Sequence, residues 1–532
     1  MRPIATALLA AFVLPLTANA QRPAHTAARA DWRRGGVCYE IFVRSFFDSN
    51  GDGVGDLNGV AAKLDYVKGL GVRCIWLMPV AESPSYHGYD VSNYYRVQPA
   101  YGTNTDFRRL VSDAHERGIE VLVDMVLNHA SSRHPYFLSA LRDTASTYRS
   151  WFRFSSSKPD MRGPWGQVVW HKSPLRDEYY YGVFSSEMPD LNYETPAVRE
   201  EAKKIARFWL DSMHVDGFRL DAVPYLVESD GQLVNTPGTH AVLREYAAYV
   251  HRVRPNAFTV GEVWDSIGAQ LPYYPDQLDD YFTFEASDAI INAVNSGSAT
   301  RLLGPFERMQ ASEPPTRWSP FLKNHDETRT LTALNGDVGR AKQAATLLLT
   351  LPGLPFVYYG EEIGMTGDKP DERIRTPMQW TTGPAAGFTS SKPWEPLQPD
   401  TATANVQVES ADRSSLLSLY RRLIHLRASN GALGSGQLIA LATDSTPVAA
   451  YLRADGTRVV LVVANLAARP QSDVRIWSRR GALPAGRYRM RALLGGAPGT
   501  PFSVDGRGQF GGFVPVPTLA PHATYLFQLV KR

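Results

Sequence analysis

From position 37 onward, short apolar segments alternate with segments that have the periodicity of amphipathic helices. The first three apolar segments read VCYEIFV, VRCIWLMPV and IEVLVDMVL, and the amphipathic segments between them cover 57–70 and 107–117. Consecutive parallel strands need a long crossover connection, which a helix usually supplies. The alternation therefore predicts an α/β fold with either a parallel barrel or a doubly wound sheet.

A long break separates the third apolar segment from the fourth, DGFRLDAV, which begins after Val215. Trp, Pro, Gly, Ser and Tyr dominate the stretch in between. Four more strand candidates follow, FTVGEVW, YFTFEA, SPFLKNH and LPFVYYG, with helical segments such as 340–351 between them. The eight candidates predict a (β/α)8 TIM barrel over 32–129 and 188–427, with a small domain inserted at 130–187 after the third strand.

The chain beyond the last predicted barrel helix, which ends near Arg427, has a different pattern. ASNGALGSGQ is rich in turn residues and predicts a linker. Alternating segments such as VAAYLRA, RVVLVVANL and TYLFQLV follow, with turn residues between them. These features predict a C-terminal antiparallel β-sandwich over 433–532.

The N-terminus has the three parts of a secretory signal peptide, which we predict over 1–20. A positive charge at Arg2 precedes an apolar run from Ile4 to Leu16, and small residues occupy 18–20. An uncleaved membrane anchor is the alternative, but the run is shorter than the roughly 20 residues of a spanning helix. We therefore expect a secreted protein, periplasmic or extracellular, with no membrane partner.

Charge and cysteine content argue against a nucleic-acid-binding protein and against a fold held by a disulfide framework. Lys and Arg total 56 against 53 for Asp and Glu, a formal charge of +3, so there is no electrostatic reason to expect a nucleic-acid partner. The two cysteines, Cys38 and Cys74, each lie in an apolar strand candidate, and we expect both to be buried small side chains without a disulfide framework.

Charged and polar side chains cluster where the predicted barrel strands end. They are Asp124, Asn128, His129, Arg219, Asp221, Glu262, His325 and Asp326. The C-terminal ends of barrel strands converge on one pocket. A single aspartate at a strand end often caps the next helix, but caps do not explain four strands ending in this way.

Two of these acids fit the requirements of glycoside cleavage with retention, which uses one ionised and one protonated carboxyl group. Arg219 precedes Asp221 by two residues, so both side chains point the same way, and we expect the guanidinium to keep the aspartate ionised. Glu262 ends an apolar run near Trp264, and we expect desolvation to raise its pKa and keep it protonated.

The segments DMVLNH, GFRLDAV, GEVW and KNHD resemble the four conserved regions of glycoside hydrolase family 13, the α-amylase family, and MPDLN resembles its fifth region. The resemblance extends from about Trp32 to the C-terminus. It implies that Asp221 is the nucleophile, Glu262 the acid/base and Asp326 a third carboxylate that binds sugar hydroxyls and favours ring distortion.

The same resemblance implies a set of substrate contacts. Arg219 would orient the nucleophile, and Asp124, His129 and His325 would contribute to the sugar-binding pocket. SYHGYDVSNYY places Tyr89 at the position that stacks on the reacting sugar, although a core aromatic is the alternative. RTPMQW, together with MPDLN, resembles the branch intermediate between oligo-1,6-glucosidases and neopullulanases, and implies that Arg375 reaches the pocket.

A calcium loop is predicted at 48–56, where oxygen-bearing side chains alternate and Gly53 allows a sharp turn. The expected ligands are Asp48, Asn50, Asp52, Asp56 and the Val54 carbonyl. No glutamate closes the loop as in an EF-hand, but the segment resembles the calcium loop of oligo-1,6-glucosidase-like members. A plain turn rich in Asp and Asn is the alternative.

A second calcium site is implied only by the resemblance. The family often binds calcium between barrel and inserted domain through the equivalents of Asn128 and Asp190. DAVPYLVE resembles the trehalose synthase version of the motif, in which the carbonyls of Tyr225 and Leu226 and the carboxylate of Glu228 complete the shell.

Three functions remain open from the sequence. The first is an α-amylase-type hydrolase of α-1,4-glucans such as starch and maltooligosaccharides, which we expect to be a monomer. The second is an α-glucosidase, glucosyl transferase or trehalose synthase-like isomerase acting on short α-glucans, against which the signal peptide argues. The third is an inactive sugar-binding protein, against which the presence of all three carboxylates argues.

Overall fold

A curled sheet of seven parallel strands lies at the centre of the computed structural model, which describes residues 31–229, 231–456, 458–478, 480–496 and 499–532. In sheet order the strands are Asp280–Tyr281, Phe258–Gly261, Gly217–Leu220, Glu120–Met125, Cys74–Leu77, Cys38–Ile41 and Phe356–Tyr358. The predicted signal peptide lies outside the described residues.

The gap between the two outer strands is closed by the predicted seventh strand, which is only a short extended segment. Ser319 N–H donates to the Tyr281 carbonyl, and Phe356 N–H donates to the Pro320 carbonyl, each at 3.0 Å. A regular strand was predicted here, but Pro320 has no N–H to give to a ladder. With this segment the sheet closes, and the predicted TIM barrel is confirmed.

Helices connect the barrel strands, as the alternation predicts. The longer ones are Asn104–Glu116, Pro196–Arg207, Pro237–Val253, Phe284–Ser296, Gly304–Ser312, Val338–Thr350 and Leu416–Ser429. Short helices are Val43–Phe46, Leu57–Ala62, Leu64–Leu70, Ile267–Gln270, Thr330–Ala333, Asp371–Ile374 and Val406–Ala411. Only the first half of the predicted sixth strand, YFTFEA, is extended, because a helix begins at Phe284. Within the described part of the chain, none of the helices has the length and apolar character needed to span a membrane.

Cys38 and Cys74 form a disulfide, so the expectation of two unpaired cysteines was wrong. The two residues are direct register partners on the first and second barrel strands, with Cα atoms 4.6 Å apart. A separation of 36 residues in sequence hides this proximity, because the helical crossover between the strands determines which residues face each other.

The segment predicted as an inserted domain contains one helix and a small antiparallel sheet. The helix is Pro135–Arg142, and the strands are Phe154–Ser155, Trp170–Lys172 and Tyr179–Tyr181, with the last of these in the middle. The segment leaves and rejoins the barrel side by side, because His129 and Asp190 form an antiparallel bridge. That bridge brings the third-strand motif and MPDLN together.

The C-terminal part forms an antiparallel sheet, as predicted. Its seven strands, in sheet order, are Ile476–Ser478, Gln437–Thr443, Val448–Ala454, Val459–Asn465, Thr524–Lys531, Gly486–Leu494 and Phe502–Val504. Alternate residues belong to different cores: Ala449 and Tyr451 pack with the barrel, whereas Val448 and Leu452 pack within the C-terminal part. The predicted linker is instead partly helical and buried at Ala432.

Candidate active site

A cleft of about 900 Å³ opens at the C-terminal ends of the barrel strands. Its lining includes the three predicted carboxylates, Asp221, Glu262 and Asp326, which come from the ends of three different strands or strand-like segments. Four further predicted residues also line it, and these are Tyr89, His129, Tyr225 and Arg375. The geometry therefore brings most of the predicted catalytic and sugar-binding residues to one place.

Arg219 lies beneath the floor of the cleft and contacts three carboxyl groups at once. It is 1% exposed. Its Nη1 donates to Asp221 Oδ1 at 2.7 Å and to both Asp124 oxygens at 2.9 Å, and its Nη2 is 3.0 Å from Glu262 Oε1. A single guanidinium thus holds the predicted nucleophile, the predicted acid/base and a third acid together.

Because the acids share Arg219, the protonation states of Asp221 and Glu262 are less sharply separated than the sequence led us to expect. Burial raises the pKa of Asp221 despite the Arg219 charge, so the expectation that the arginine alone settles its ionisation was too simple. Burial likewise raises the pKa of Glu262 to about 7 and that of Asp124 to about 7. Trp264, the apolar neighbour noted beside Glu262 in the sequence, stacks on Phe284 and is 55% exposed.

Tyr89 covers His325, and the two rings stack with centroids 5.5 Å apart. The Tyr89 hydroxyl donates to Asp124 Oδ2 at 3.1 Å and lies 2.6 Å from His325 Nε2. Tyr89 is therefore part of the active-site hydrogen-bond network. His325 is fully buried under Tyr89.

Arg375 reaches the cleft, as the resemblance implies, and binds Asp326. Its Nη2 donates to Asp326 Oδ1 at 2.8 Å and to Asp371 Oδ2 at 2.9 Å, while its Nε donates to the His325 carbonyl. Burial opposes ionisation of Asp326, but the charges of His325 and Arg375 outweigh it and hold its pKa well below the usual range. Asp326 is thus an ionised carboxylate at the cleft.

His129 also lines the cleft, and its imidazole is neutral. Burial lowers the pKa of His129 to about 4, and its Nε2 is 3.1 Å from the Tyr89 carbonyl, to which it donates. Its ring also contacts Phe184, with centroids 5.3 Å apart. A neutral imidazole here adds no charge to the cleft.

Sequence reasoning missed several aromatic side chains of the cleft. Trp165 comes from the inserted segment, is 64% exposed, and lies near Phe184 and Tyr225, with ring centroids 5.9 and 6.0 Å away. Trp264 also lines the cleft. Exposed aromatic faces of this kind suit stacking against sugar rings. In the sequence, the indication for Trp165 was its place in the turn-rich segment GPWG, and the indication for Trp264 was its place directly after GEV.

In the predicted calcium loop, side-chain oxygens accept hydrogen bonds from backbone N–H groups two or three residues further along the chain. Asp48 Oδ1 accepts from the N–H groups of Asn50 and Gly51, Asn50 Oδ1 accepts from Asp52 N–H, and Asp52 Oδ1 accepts from Val54 N–H. Asp56 also accepts from Gly59 N–H at 2.7 Å, and so caps the following helix. This set of carboxylate, amide and carbonyl oxygens has the hard-donor chemistry that suits Ca²⁺.

The second predicted calcium site contains a buried, unsatisfied oxygen. Asn128 Oδ1 has no hydrogen-bond partner, and Asn128 Nδ2 donates to Asp190 Oδ2 at 3.2 Å. Burial and the nearby charge of Glu228 raise the pKa of Asp190 well above its usual range. These features fit a cation, but Arg153 Nε already lies 3.1 Å from Glu228 Oε2. The side chain of Tyr225 lines the cleft, and the carbonyls of Tyr225 and Leu226 are the remaining predicted ligands.

The comparison with protein families agrees with this geometry. Residues 40–436 match the family model for the α-amylase catalytic domain. The chain belongs to the α-amylase family. This confirms the resemblance to glycoside hydrolase family 13 that the motifs carry.

Relatives within the α-amylase family have several activities in their names. Alpha-amylase 3 of Dictyoglomus thermophilum is 40% identical over 446 residues, covering 82% of this chain and 85% of that protein. Trehalose synthase/amylase TreS of Mycolicibacterium smegmatis is 34% identical, covering 83% and 85%. Among solved structures, the α-amylase from H. orenii superposes with a TM-score of 0.80 at 37% identity, over 94% of this chain and 100% of that one. The chain is therefore a family 13 enzyme that acts on α-glucans.

Proposed function

We propose that this family 13 enzyme is a secreted retaining α-amylase-type hydrolase, which cleaves α-1,4-glucosidic bonds in starch and maltooligosaccharides. The observation that carries the proposal is the triple contact of Arg219 with Asp124, Asp221 and Glu262 on the floor of an open cleft. Arg219 thereby holds Asp221 and Glu262 together beside Asp124, and two such carboxyl groups are what retention requires.

The chemistry assigns one role to each acid. Asp221, as the carboxylate, attacks the anomeric carbon, while Glu262, as the acid, gives its proton to the departing glycosidic oxygen. Glu262 then takes a proton from water, which attacks the same carbon and releases Asp221. The pKa of Glu262, raised to about 7 by burial, suits a group that donates and recovers a proton near neutral pH.

The remaining cleft residues support a polymer or oligosaccharide as the substrate. Asp326, held by Arg375, offers an ionised carboxylate to sugar hydroxyls. Trp165 and Trp264, both largely exposed in the cleft, offer flat faces to further sugar rings. A cleft of about 900 Å³ has room for more than one ring.

Two observations support export and calcium binding as parts of this proposal. The Cys38–Cys74 disulfide is typical of an oxidising compartment outside the cytoplasm, in agreement with the predicted signal peptide. The donor set of the 48–56 loop suits Ca²⁺, which would hold the loop by neutralising its carboxylates.

A second candidate is isomerisation of maltose or transfer of glucosyl units between short glucans. The 34% identity to Trehalose synthase/amylase TreS and the DAVPYLVE motif favour it. It uses the same glucosyl intermediate, which a sugar hydroxyl rather than water then intercepts. The exposed tryptophans and the export argument favour hydrolysis of longer chains.

Proton NMR of the anomeric region during early turnover of maltotriose, maltose and starch tests the proposal. We expect α-anomeric first products and a steady rise in reducing ends. A β-anomeric first product would contradict retention. Trehalose as the main product from maltose, with few new reducing ends, would replace hydrolysis with isomerisation.

A further inference from the structure

The first barrel strand carries a glutamate whose charge has no role in the chemistry described so far. Glu40 lies within the apolar segment VCYEIFV and is 2% exposed. Its Oε1 atom is 2.5 Å from Nδ1 of His325, which is itself fully buried. A carboxylate is rarely this deeply buried unless it has a specific charged partner.

The hydrogen-bond partners of the His325 ring favour a proton on each of its two nitrogens. Nδ1 faces the Glu40 carboxylate, which only accepts. On the other side, Nε2 faces the Tyr89 oxygen at 2.6 Å and Asp326 Oδ2 at 3.1 Å. With the Tyr89 proton directed at Asp124, the Tyr89 oxygen can accept from His325, and the Asp326 carboxylate is an acceptor in either case. Both ring nitrogens therefore face acceptors.

We propose that Glu40 is a positioning residue of the active site, which fixes the His325 ring and keeps it a cation with one N–H toward Glu40 and the other toward Tyr89 and Asp326. The proposal rests on the proposed function for its catalytic consequence only. The protonation of His325 is inferred from the acceptor groups that surround its ring, independently of the reaction.

The surroundings of His325 favour the cation. The charged or titratable groups around it are Glu40, Asp124, Asp221, Asp326, Tyr89, Arg375 and Arg219. The four carboxyl groups outnumber the two guanidinium groups, and the Trp76 ring packs edge-to-face with the imidazole. Burial opposes protonation, yet the charges of Asp326 and Glu40 outweigh it and raise the pKa of His325 to about 10.

A permanently charged His325 would act on two neighbours in the cleft. Its Nε2–H would hold the Tyr89 hydroxyl with its proton directed at Asp124, and so fix the Tyr89 ring in the cleft wall. It also stabilises Asp326 as a carboxylate. Loss of the Glu40 charge would let the imidazole give up a proton and turn, so that both neighbours lose a fixed partner.

The test combines Glu40→Gln with direct observation of His325. Protein labelled with ¹⁵N-histidine, with the resonance assigned by its absence in His325→Gln, reports the protonation of each ring nitrogen. We expect wild-type His325 to keep imidazolium shifts from pH 5 to 9, and the E40Q resonance to titrate within that range. We also expect kcat on maltotriose to fall roughly ten- to a hundred-fold, with its alkaline limb moved to lower pH.

Two further variants separate positioning from a general loss of stability. Glu362 is a matched buried glutamate, which accepts from the Tyr39 and Tyr66 hydroxyls away from His325. Glu362→Gln should leave the His325 shifts and the shape of the pH profile unchanged. Glu40→Asp keeps the charge but shortens its reach, and should keep the imidazolium while lowering kcat.

Three outcomes would overturn the proposal. They are a neutral wild-type His325 at pH 7, an E40Q resonance that does not titrate, and an E40Q pH profile identical to that of the wild type. The spectra do not depend on turnover. A wild type without hydrolytic activity but with the expected His325 shifts would therefore refute the proposed function and leave the Glu40–His325 pairing intact.

Discussion

Two of the regions in which the protein buries guanidinium groups satisfy them in opposite ways. Under the cleft, Arg219 contacts three carboxyl groups. At the junction between barrel and C-terminal sheet, Arg427 and Arg453 are both fully buried, and among the described residues no carboxylate contacts either of them. Charges balance charges in the first region, and backbone dipoles balance charges in the second.

The junction arginines bind the C-terminal end of the helix Val338–Thr350. Arg427 donates to the carbonyls of Leu349 and Leu351, each at 3.0 Å, and Arg453 donates to the carbonyl of Thr350 at 2.5 Å. These are carbonyls that a helix end leaves without partners. Arg453 belongs to the C-terminal sheet, so it ties that sheet to the barrel.

The electrostatic consequences differ accordingly. Burial opposes the charge of Arg219, but Asp124 and Glu262 outweigh it and raise the pKa of Arg219 well above its usual range. At the junction, burial lowers the pKa of Arg453 to about 9, and Tyr451 only partly opposes this. The difference indicates that the buried charges of the cleft belong to groups that exchange protons, whereas those of the junction hold the C-terminal sheet against the barrel.

The largest expected effect comes from removing one catalytic acid. Asp221→Asn and Glu262→Gln should each lower kcat at least about 1,000-fold, because each removes half of the two-carboxylate chemistry. Thermal unfolding should change by only a few degrees, since each variant loses a buried acid that is itself costly to bury. Steady-state hydrolysis of maltotriose and calorimetry measure the two quantities.

A control from the junction makes this result specific, because Arg453→Met disturbs a buried charge far from the chemistry. Near wild-type turnover in either acid variant would contradict the role assigned to it. A large loss of stability in Asp221→Asn would show that the cleft acids also serve cohesion, which would break the contrast between the two regions.

The second largest effect should fall on stability and come from the junction. Arg453→Met leaves the carbonyls of Thr350 and Gly436 without their donor, and should lower the free energy of unfolding by about 2–4 kcal/mol. Activity of the folded variant should stay within about twofold of wild type. Urea unfolding followed by tryptophan fluorescence, with activity measured at low temperature, checks both. A stable variant with reduced kcat would reverse the expected order.

The sequence predicts the barrel and the cleft residues because both depend on local patterns. Strand ends that carry Asp124, Arg219, Glu262 and Asp326 must converge once the eight segments close into a ring. The order of the motifs along the chain then suffices to place them. Only their mutual distances need the structure.

What the sequence does not predict depends on contacts between distant segments. The Cys38–Cys74 disulfide joins strands separated by a whole crossover, and Glu40 meets His325 across 285 residues. A charged residue inside the apolar segment VCYEIFV was the available indication for Glu40. The sharing of Arg219 among three acids was likewise beyond reach, because spacing along one strand reveals only its pairing with Asp221.

A third prediction uses pH to separate the regions. Glu262 must be protonated to act as an acid, and its pKa is raised to about 7, so kcat/KM should fall as pH rises through about 7, about tenfold per pH unit beyond it. A raised carboxyl pKa means that the folded state binds the proton more tightly, so this group's contribution to stability should be lost between about pH 4.5 and about pH 7. Rates and melting temperatures from pH 4 to 9 measure both.

The junction supplies the control for this pH dependence. The pKa of Arg453, about 9, lies above pH 8, so Arg453→Met should lower stability by nearly the same amount at pH 5 and pH 8 and keep the wild-type pH–rate profile. Glu262→Gln should lose the part of the stability change that comes from its own titration. An alkaline limb that stays in Glu262→Gln residual activity would assign the limb to another group.

The smallest expected effect concerns the carboxylates of the 48–56 loop, whose charge a calcium ion from solution would balance. If the 48–56 loop binds Ca²⁺ only when folded, excess chelator should lower the melting temperature by a few degrees, because ligand at 100 times its Kd adds about 2.7 kcal/mol. Asp52→Asn is the sharpest probe, since an asparagine oxygen can still accept from Val54 N–H and preserve the turn while the charge is lost. The variant should show a reduced difference between calcium and chelator, whereas Arg453→Met should keep the wild-type difference. Equal melting temperatures of the wild type in calcium and in chelator would contradict calcium binding. The loop would then be a turn held by its own hydrogen bonds, and charge balance by a bound ion would not extend the contrast between cleft and junction.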